Sequence, residues 1–147
     1  MVKATEFWNY LCEELDYRFF AGVACPGLVP LYKKMNADIM HYIPAANEKI
    51  ALGLVSGARI AGNKGAVLMD MRFIYDLTDS FKFNVDYSIP LLVIGYNSGG
   101  EDEFPSYDFP VAFIIGESFK DDLNRVVSRS EDEKVPGLIV IEKGGLS

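Results

Sequence analysis

Six short apolar runs, at residues 19–24, 40–44, 66–69, 89–96, 111–115 and 138–141, alternate along the chain with segments whose apolar residues recur at helical spacing. A near-continuous apolar run is how a parallel strand covered on both faces reads, because it has no side to turn toward water. Strand and helix in alternation predict an α/β fold: one three-layer domain with a mostly parallel six-stranded sheet, flanked by helices and joined by right-handed crossovers. The expected helices cover about residues 4–16, 28–35, 46–61 and 73–81, and a last one runs from Ser118 to a charged loop at residues 130–134. Phe7, Trp8, Leu11, Cys12 and Leu15 set the period of the first. Gly62 offers the left-handed stop for the third. A length of 147 residues matches one domain over residues 1–147.

Charge narrows the partners. With 14 Lys+Arg against 21 Asp+Glu the net charge is −7, and no basic run is present. A nucleic-acid backbone or an anionic membrane surface is therefore not the expected partner. The apolar runs are far shorter than the roughly 20 residues that cross a bilayer. Met-Val-Lys-Ala-Thr-Glu at the start does not read as a signal peptide, so the expected location is cytoplasmic. Cys12 and Cys25 fit no metal spacing and read as reduced thiols. Half of the residues are hydrophobic, a generous share that suggests an interface in addition to a core.

In parallel sheets ligands sit beyond the carboxyl ends of the strands, which directs attention to residues 25–28, 44–48, 70–73 and 96–107. Gly57 and Gly62 have the spacing of a phosphate loop, but Asn63 stands where its lysine belongs and the stretch does not follow a strand. The small residues Ala51, Gly53, Ser56, Gly57 and Ala58 instead suggest a tightly packed helix. Cys25 and His41 are the one pair that could make a thiolate nucleophile; a packed core histidine and an inert small hydrophobe are the expected alternative. Glu101-Asp102-Glu103 lacks the ordered spacing of a cation loop and reads as a solvated turn. No metal ligands are assigned. Glu48 follows a strand at the first turn of a helix, where spacing alone makes it a helix-start carboxylate.

Several segments, taken in order, resemble one enzyme family. Residues Ile43-Pro44-Ala45-Ala46-Asn47-Glu48-Lys49-Ile50-Ala51 are similar to the segment around the glutamate of thiamine-diphosphate enzymes. Gly22-Val23-Ala24-Cys25-Pro26-Gly27-Leu28 resembles the Gly-Val-Pro-Cys-Ser-x-Leu turn of the pyrimidine-binding (PYR) domain in phosphonopyruvate decarboxylase and in the alpha subunit of sulfopyruvate decarboxylase. Tyr87-Ser88-Ile89-Pro90-Leu91-Leu92-Val93-Ile94-Gly95-Tyr96 resembles their Tyr-x-Ile-Pro-x-Leu-x-x-x-Gly-Trp. The loop through Asp102, Glu103 and Pro105 is similar to their Asp-Glu-Pro-Gln-His, with Tyr107 in place of the histidine.

The resemblance implies a thiamine-diphosphate-binding fold of PYR type in a 2-oxo-acid decarboxylase. It makes Glu48 the catalytic residue, through a hydrogen bond to the cofactor's aminopyrimidine that favours its reactive tautomer. It also places Glu48, Cys25, Pro26, Asp70 and Phe73 at the cofactor. The family holds the diphosphate and magnesium on a second domain through Gly-Asp-Gly, which this sequence lacks. The implied partners are a separately encoded diphosphate-binding subunit, a second copy of this chain, or both, with a small 2-oxo acid as substrate. Where the family has Gln-Asn-Ser-Gly-Leu-Gly-Asn, this chain has Asp70-Met71-Arg72-Phe73-Ile74-Tyr75-Asp76. Losing both glycines removes room for close backbone approach. The alternative is a catalytically degenerate interaction subunit that keeps the fold.

Overall fold

A computed structural model describes residues 1–99, 109–114, 116 and 118–147. The six strands are β1 (Phe19–Gly22), β2 (His41–Pro44), β3 (Gly65–Asp70), β4 (Leu92–Asn97), β5 (Val111–Ile114) and β6 (Gly137–Glu142). They form one sheet in the order β2-β1-β3-β4-β6-β5, and every neighbouring pair is parallel. The helices are α1 (Ala4–Trp8), α2 (Val29–Lys33), α3 (Glu48–Ile60), α4 (Thr78–Asp86) and α5 (Phe119–Glu133). This is the three-layer α/β architecture that the alternating pattern implies.

The two faces of the sheet carry separate cores. One packs α1, α2 and α5 through Phe7, Trp8, Leu31 and Leu123 against Phe20, Leu68 and Ile94. The other packs α3 and α4 through Leu52, Val55 and Phe81 against Val67, Met69 and Val93. Alternate residues of β3 thus point into opposite cores, as the two-residue period of a strand requires. Trp8 joins α1 to α2 by donating its Nε1–H to the Leu31 carbonyl at 2.8 Å, the buried partner an indole needs.

Several expectations are corrected. The first helix continues from Trp8 as a π-helix over Asn9–Glu14 and ends before Asp16, which adopts φ 64°. The segment expected as a helix over residues 73–81 begins instead as a 3-10 helix, Met71–Leu77, before α4. Its buried residues Met71, Ile74 and Leu77 recur every three positions, the 3-10 period rather than that of an α-helix. Residues 130–133, expected in a loop, complete α5. Ser130 is buried there, its Oγ donates to the Val135 carbonyl at 2.5 Å, and Lys134 closes the helix at φ 58°.

His41 is not a core histidine: β2 is an edge strand and its imidazole is exposed. Nor do the glycines of α3 serve packing within the chain. Ala51 and Ser56 are buried, but a Cβ built on Gly53 or Gly57 meets nothing within 4 Å. The turn at residues 101–103 lies outside the described residues, as do positions 105 and 107 of the resemblance.

Candidate functional site at the carboxyl edge

Strands β2, β1 and β3 lie side by side, so the segments that follow them meet along one edge of the sheet. From β1 the chain passes to α2 on one face, whereas from β3 it passes to α4 on the other. The topological switch point, where parallel sheets open a crevice, therefore falls between β1 and β3. Cys25 and Pro26 flank it on one side, Asp70 and Phe73 on the other.

The β1 side is tightly built. Cys25 is 2% exposed; its backbone N–H donates to the Tyr32 hydroxyl at 3.3 Å, which donates in turn to the Val23 carbonyl at 3.3 Å. Burial raises the thiol's pKa and the Asp70 carboxylate adds to this, against backbone N–H groups of the following turn and the Arg72 guanidinium. His41 is not among the groups acting on the thiol, and an apolar-buried thiol is a poor nucleophile. Pro26 is exposed and opens a short 3-10 turn, Pro26–Leu28. A Cβ on Gly27 would stand 2.2 Å from the Tyr96 ring, so only glycine allows that ring to lie over the turn.

Across the crevice, Asp70 is engaged within its own loop. Its Oδ1 accepts from the Arg72 backbone N–H at 2.9 Å and its Oδ2 pairs with the Arg72 guanidinium at 3.1 Å. The same guanidinium lies 5.4 Å from the centre of the Phe73 ring. Phe73 is 39% exposed and Tyr75 52%.

Glu48 stands apart from this cluster. It is half-buried at the first position of α3 and lines a cavity of about 250 Å³ with Asn47, Lys49 and Asp76. The capping bond of α3 is made by its neighbour: Asn47 adopts an extended backbone and its Oδ1 accepts from the Ile50 N–H at 2.9 Å. Among the described residues the Glu48 carboxylate has no hydrogen-bond or ion-pair partner. An acceptor is thus held at a helix start without a bond to any described residue.

Asp76 and Arg72 are the residues that sequence reasoning did not single out. The three-residue period at Met71, Ile74 and Leu77 was the available signal, because it puts Phe73 and Asp76 on one side of the 3-10 helix. Among the described residues no three His, Cys, Asp or Glu side chains converge as a metal site, and no helix is long and apolar enough to cross a membrane.

Neither a family model nor a curated protein sequence matches the chain. Solved structures do. The chain is similar to a thiamine diphosphate-dependent 4-hydroxybenzoylformate decarboxylase from Rhodococcus jostii RHA1, at 13% identity and a TM-score of 0.81 over 98% of this chain and 31% of that one. It is also similar to a Mycobacterium smegmatis protein proposed to be a thiamine diphosphate-dependent enzyme, at 12% identity and a TM-score of 0.80, covering 99% of this chain and 31% of that one. A 2-oxoglutarate:ferredoxin oxidoreductase from Magnetococcus marinus matches at 17% identity and a TM-score of 0.67, over 97% of this chain and 28% of that one. The chain therefore has the fold of the PYR-type domains in thiamine diphosphate-dependent enzymes, and spans under a third of each of these structures.

Proposed function

We propose that the chain is the pyrimidine-binding half of a thiamine diphosphate-dependent 2-oxo-acid decarboxylase of the phosphonopyruvate or sulfopyruvate type. The observation that carries this reading is the unpartnered Glu48 carboxylate, facing a cavity at the carboxyl edge while Asn47 caps the helix. That donor set suits an aminopyrimidine, whose ring nitrogen needs one carboxyl within hydrogen-bond reach. Thiamine diphosphate, when bound, supplies the electron sink for loss of carbon dioxide from a 2-oxo acid. Glu48, half-buried at the start of α3 with no partner among the described residues, would set its carboxyl against the pyrimidine ring nitrogen. Nothing in this sequence matches Gly-Asp-Gly, so on this reading the diphosphate and magnesium are held by residues outside it.

The second reading, a non-catalytic interaction subunit, draws on the Asp70–Arg72–Phe73 cluster. There a carboxylate expected at the cofactor is committed to an arginine, and an aromatic ring occupies the place of the family's glycines.

One experiment separates them. The chain is combined with a Gly-Asp-Gly-bearing partner subunit, magnesium and thiamine diphosphate, and assayed on phosphonopyruvate and 3-sulfopyruvate. Decarboxylation that falls by about 100-fold or more in Glu48→Gln supports the first reading, since general acid–base groups contribute on that order. Equal rates in the two proteins, or no cofactor binding by calorimetry, overturn it.

A further inference from the structure

The amino edge of the sheet carries a cavity of about 240 Å³, between the ends of α3 and α5 and the turn that leads from α4 into β4. It lies at the opposite end of the strands from Glu48 and from the crevice between β1 and β3. α3 packs on one face of the sheet and α5 on the other, and their last turns meet at this edge. Arg59, in the last turn of α3, reaches to Glu131 of α5, its Nη2 donating to Oε2 at 2.7 Å. That bond ties the two helical layers together and holds the guanidinium in place as a wall of the cavity.

Cations line this cavity and carboxylates do not. Arg59, Lys134 and Ser88 border it, and among the described residues no Asp or Glu does, in a chain whose net charge is −7. Glu131 engages Arg59 through Nη2, but the Nε–H of the same guanidinium has no partner among the described residues. Nor does Lys134 pair with any described carboxylate. A lysine following α5 interacts favourably with the negative end of that helix, but this does not call for the backbone conformation it adopts.

That conformation is an independent observation. Lys134 and Ser88 stand at φ 58° and 55°, in the left-handed region, and Asp16 is the other non-glycine residue found there among those described. Two of the three therefore border one cavity. A side chain held in this region costs free energy that glycine would not, and such residues gather at ligand sites. Glycine would end α5 as well as Lys134 does; what it would lose is an ammonium at the cavity.

The remaining walls select the ligand. Ile60, Ile89 and Pro90 supply apolar surface beside the exposed ring of Tyr87. A bare oxyanion would leave those walls in water, and a hydrocarbon would gain nothing from two cations. We propose that this cavity binds a small organic carboxylate, its oxygens on Arg59, Lys134 and Ser88 and its apolar body against Ile60, Ile89 and Pro90. The site does not rest on the cofactor reading; it stands whether or not Glu48 meets a pyrimidine.

Benzoate is the probe, titrated into the full chain and followed through the backbone amides by nuclear magnetic resonance. Benzamide serves as the neutral isostere and inorganic phosphate as the bare oxyanion. Lys134→Asn and Ser88→Gly are the variants; each puts at a positive φ a residue that suits it better, so the fold is kept while the charge or the hydroxyl is removed. The expected result is saturable benzoate binding with a dissociation constant of roughly 1 mM or below, with shifts centred on Ser88, Ile89 and Lys134. Benzamide and phosphate each bind about tenfold more weakly, and Lys134→Asn weakens benzoate by about tenfold, as loss of one charged hydrogen bond implies. Ser88→Gly weakens it by about fivefold, as loss of a neutral one implies. No saturable shift with benzoate, shifts centred on Cys25 and Asp70 instead, benzamide or phosphate binding as tightly as benzoate, or an unchanged affinity in either variant overturns the proposal.

Discussion

Gly22→Ala is expected to be among the most damaging single-methyl additions to this fold. Gly22 is buried at the end of β1, in register with Leu68 of β3. A Cβ there would stand 2.3 Å from the Leu68 carbonyl oxygen, whereas a carbon normally approaches a carbonyl oxygen no closer than about 3.3 Å. The strands must part by roughly 1 Å, because the obstacle is backbone and cannot swing aside. The same oxygen accepts from the Val23 N–H at 3.3 Å, so the shift weakens a ladder bond as well. Overpacking of this kind costs about 1–3 kcal/mol and the bond about 1 kcal/mol, together roughly 2–4 kcal/mol. At a urea slope of roughly 2 kcal/mol per molar, the unfolding midpoint falls by about 1–2 M. Gly53→Ala is the control: the same methyl enters open space in a helix interior, where it raises stability by about 0.5–1 kcal/mol. An unchanged midpoint in Gly22→Ala, or a drop in Gly53→Ala as large, would refute the reasoning.

Asn84→Ala removes the donor to the Ile89 carbonyl at 3.1 Å and to Ser56 Oγ at 3.0 Å. Leaving a buried acceptor without a partner costs about 1–3 kcal/mol in urea unfolding; a loss below about 0.5 kcal/mol contradicts the assignment. Asn47→Ala is expected to cost about 1 kcal/mol through loss of the α3 cap, whereas Glu48→Gln breaks no capping bond and loses only the charge at the helix start, about 0.3–1 kcal/mol. Burial pushes the Cys12 thiol from 9.0 up to about 12 and raises Cys25 as well. Neither thiol should react with a thiol-specific reagent at pH 8 until denaturant is added; rapid labelling of the folded chain would count against both. Because the Cys12 pKa is raised on folding, the stability it contributes is intact below pH 9.0 and is lost as pH climbs toward about 12.

The parallel sheet was legible because its cause is local. Val67, Leu68 and Met69 are all fully buried, with neighbours pointing into opposite cores, and a strand in that position has no choice but to be apolar throughout. His41 escaped for the complementary reason. Its neighbours Met40, Tyr42 and Ile43 look like those of a central strand, but whether a strand lies at the edge is decided by the order β2-β1-β3, which arises from crossovers far apart in sequence. The glycines of α3 show the same division. Helical periodicity groups Gly53 and Gly57 on one face, yet what stands opposite that face is not a property of the helix. The expectation of a close approach at these small residues named no partner, and within the chain both glycines face open space.

The candidate site divides along the same line. Sequence placed Glu48 after a strand and at a helix start, but a carboxylate there has two uses that spacing cannot separate. The residue before it separates them. Asn47 takes the capping bond to Ile50, and asparagine is among the strongest capping residues. With the cap made, the favourable interaction of a carboxylate with the helix start persists without any bond to hold the side chain inward, so Glu48 keeps its oxygens for something outside the chain. Asp70 shows the opposite case. It caps its own 3-10 turn and pairs with Arg72, so a ligand that engaged Asp70 would first have to displace a cation. A functional carboxylate at this edge is therefore better recognised by the absence of an internal partner than by proximity to the crevice, and on that criterion Glu48 rather than Asp70 is the residue to mutate first.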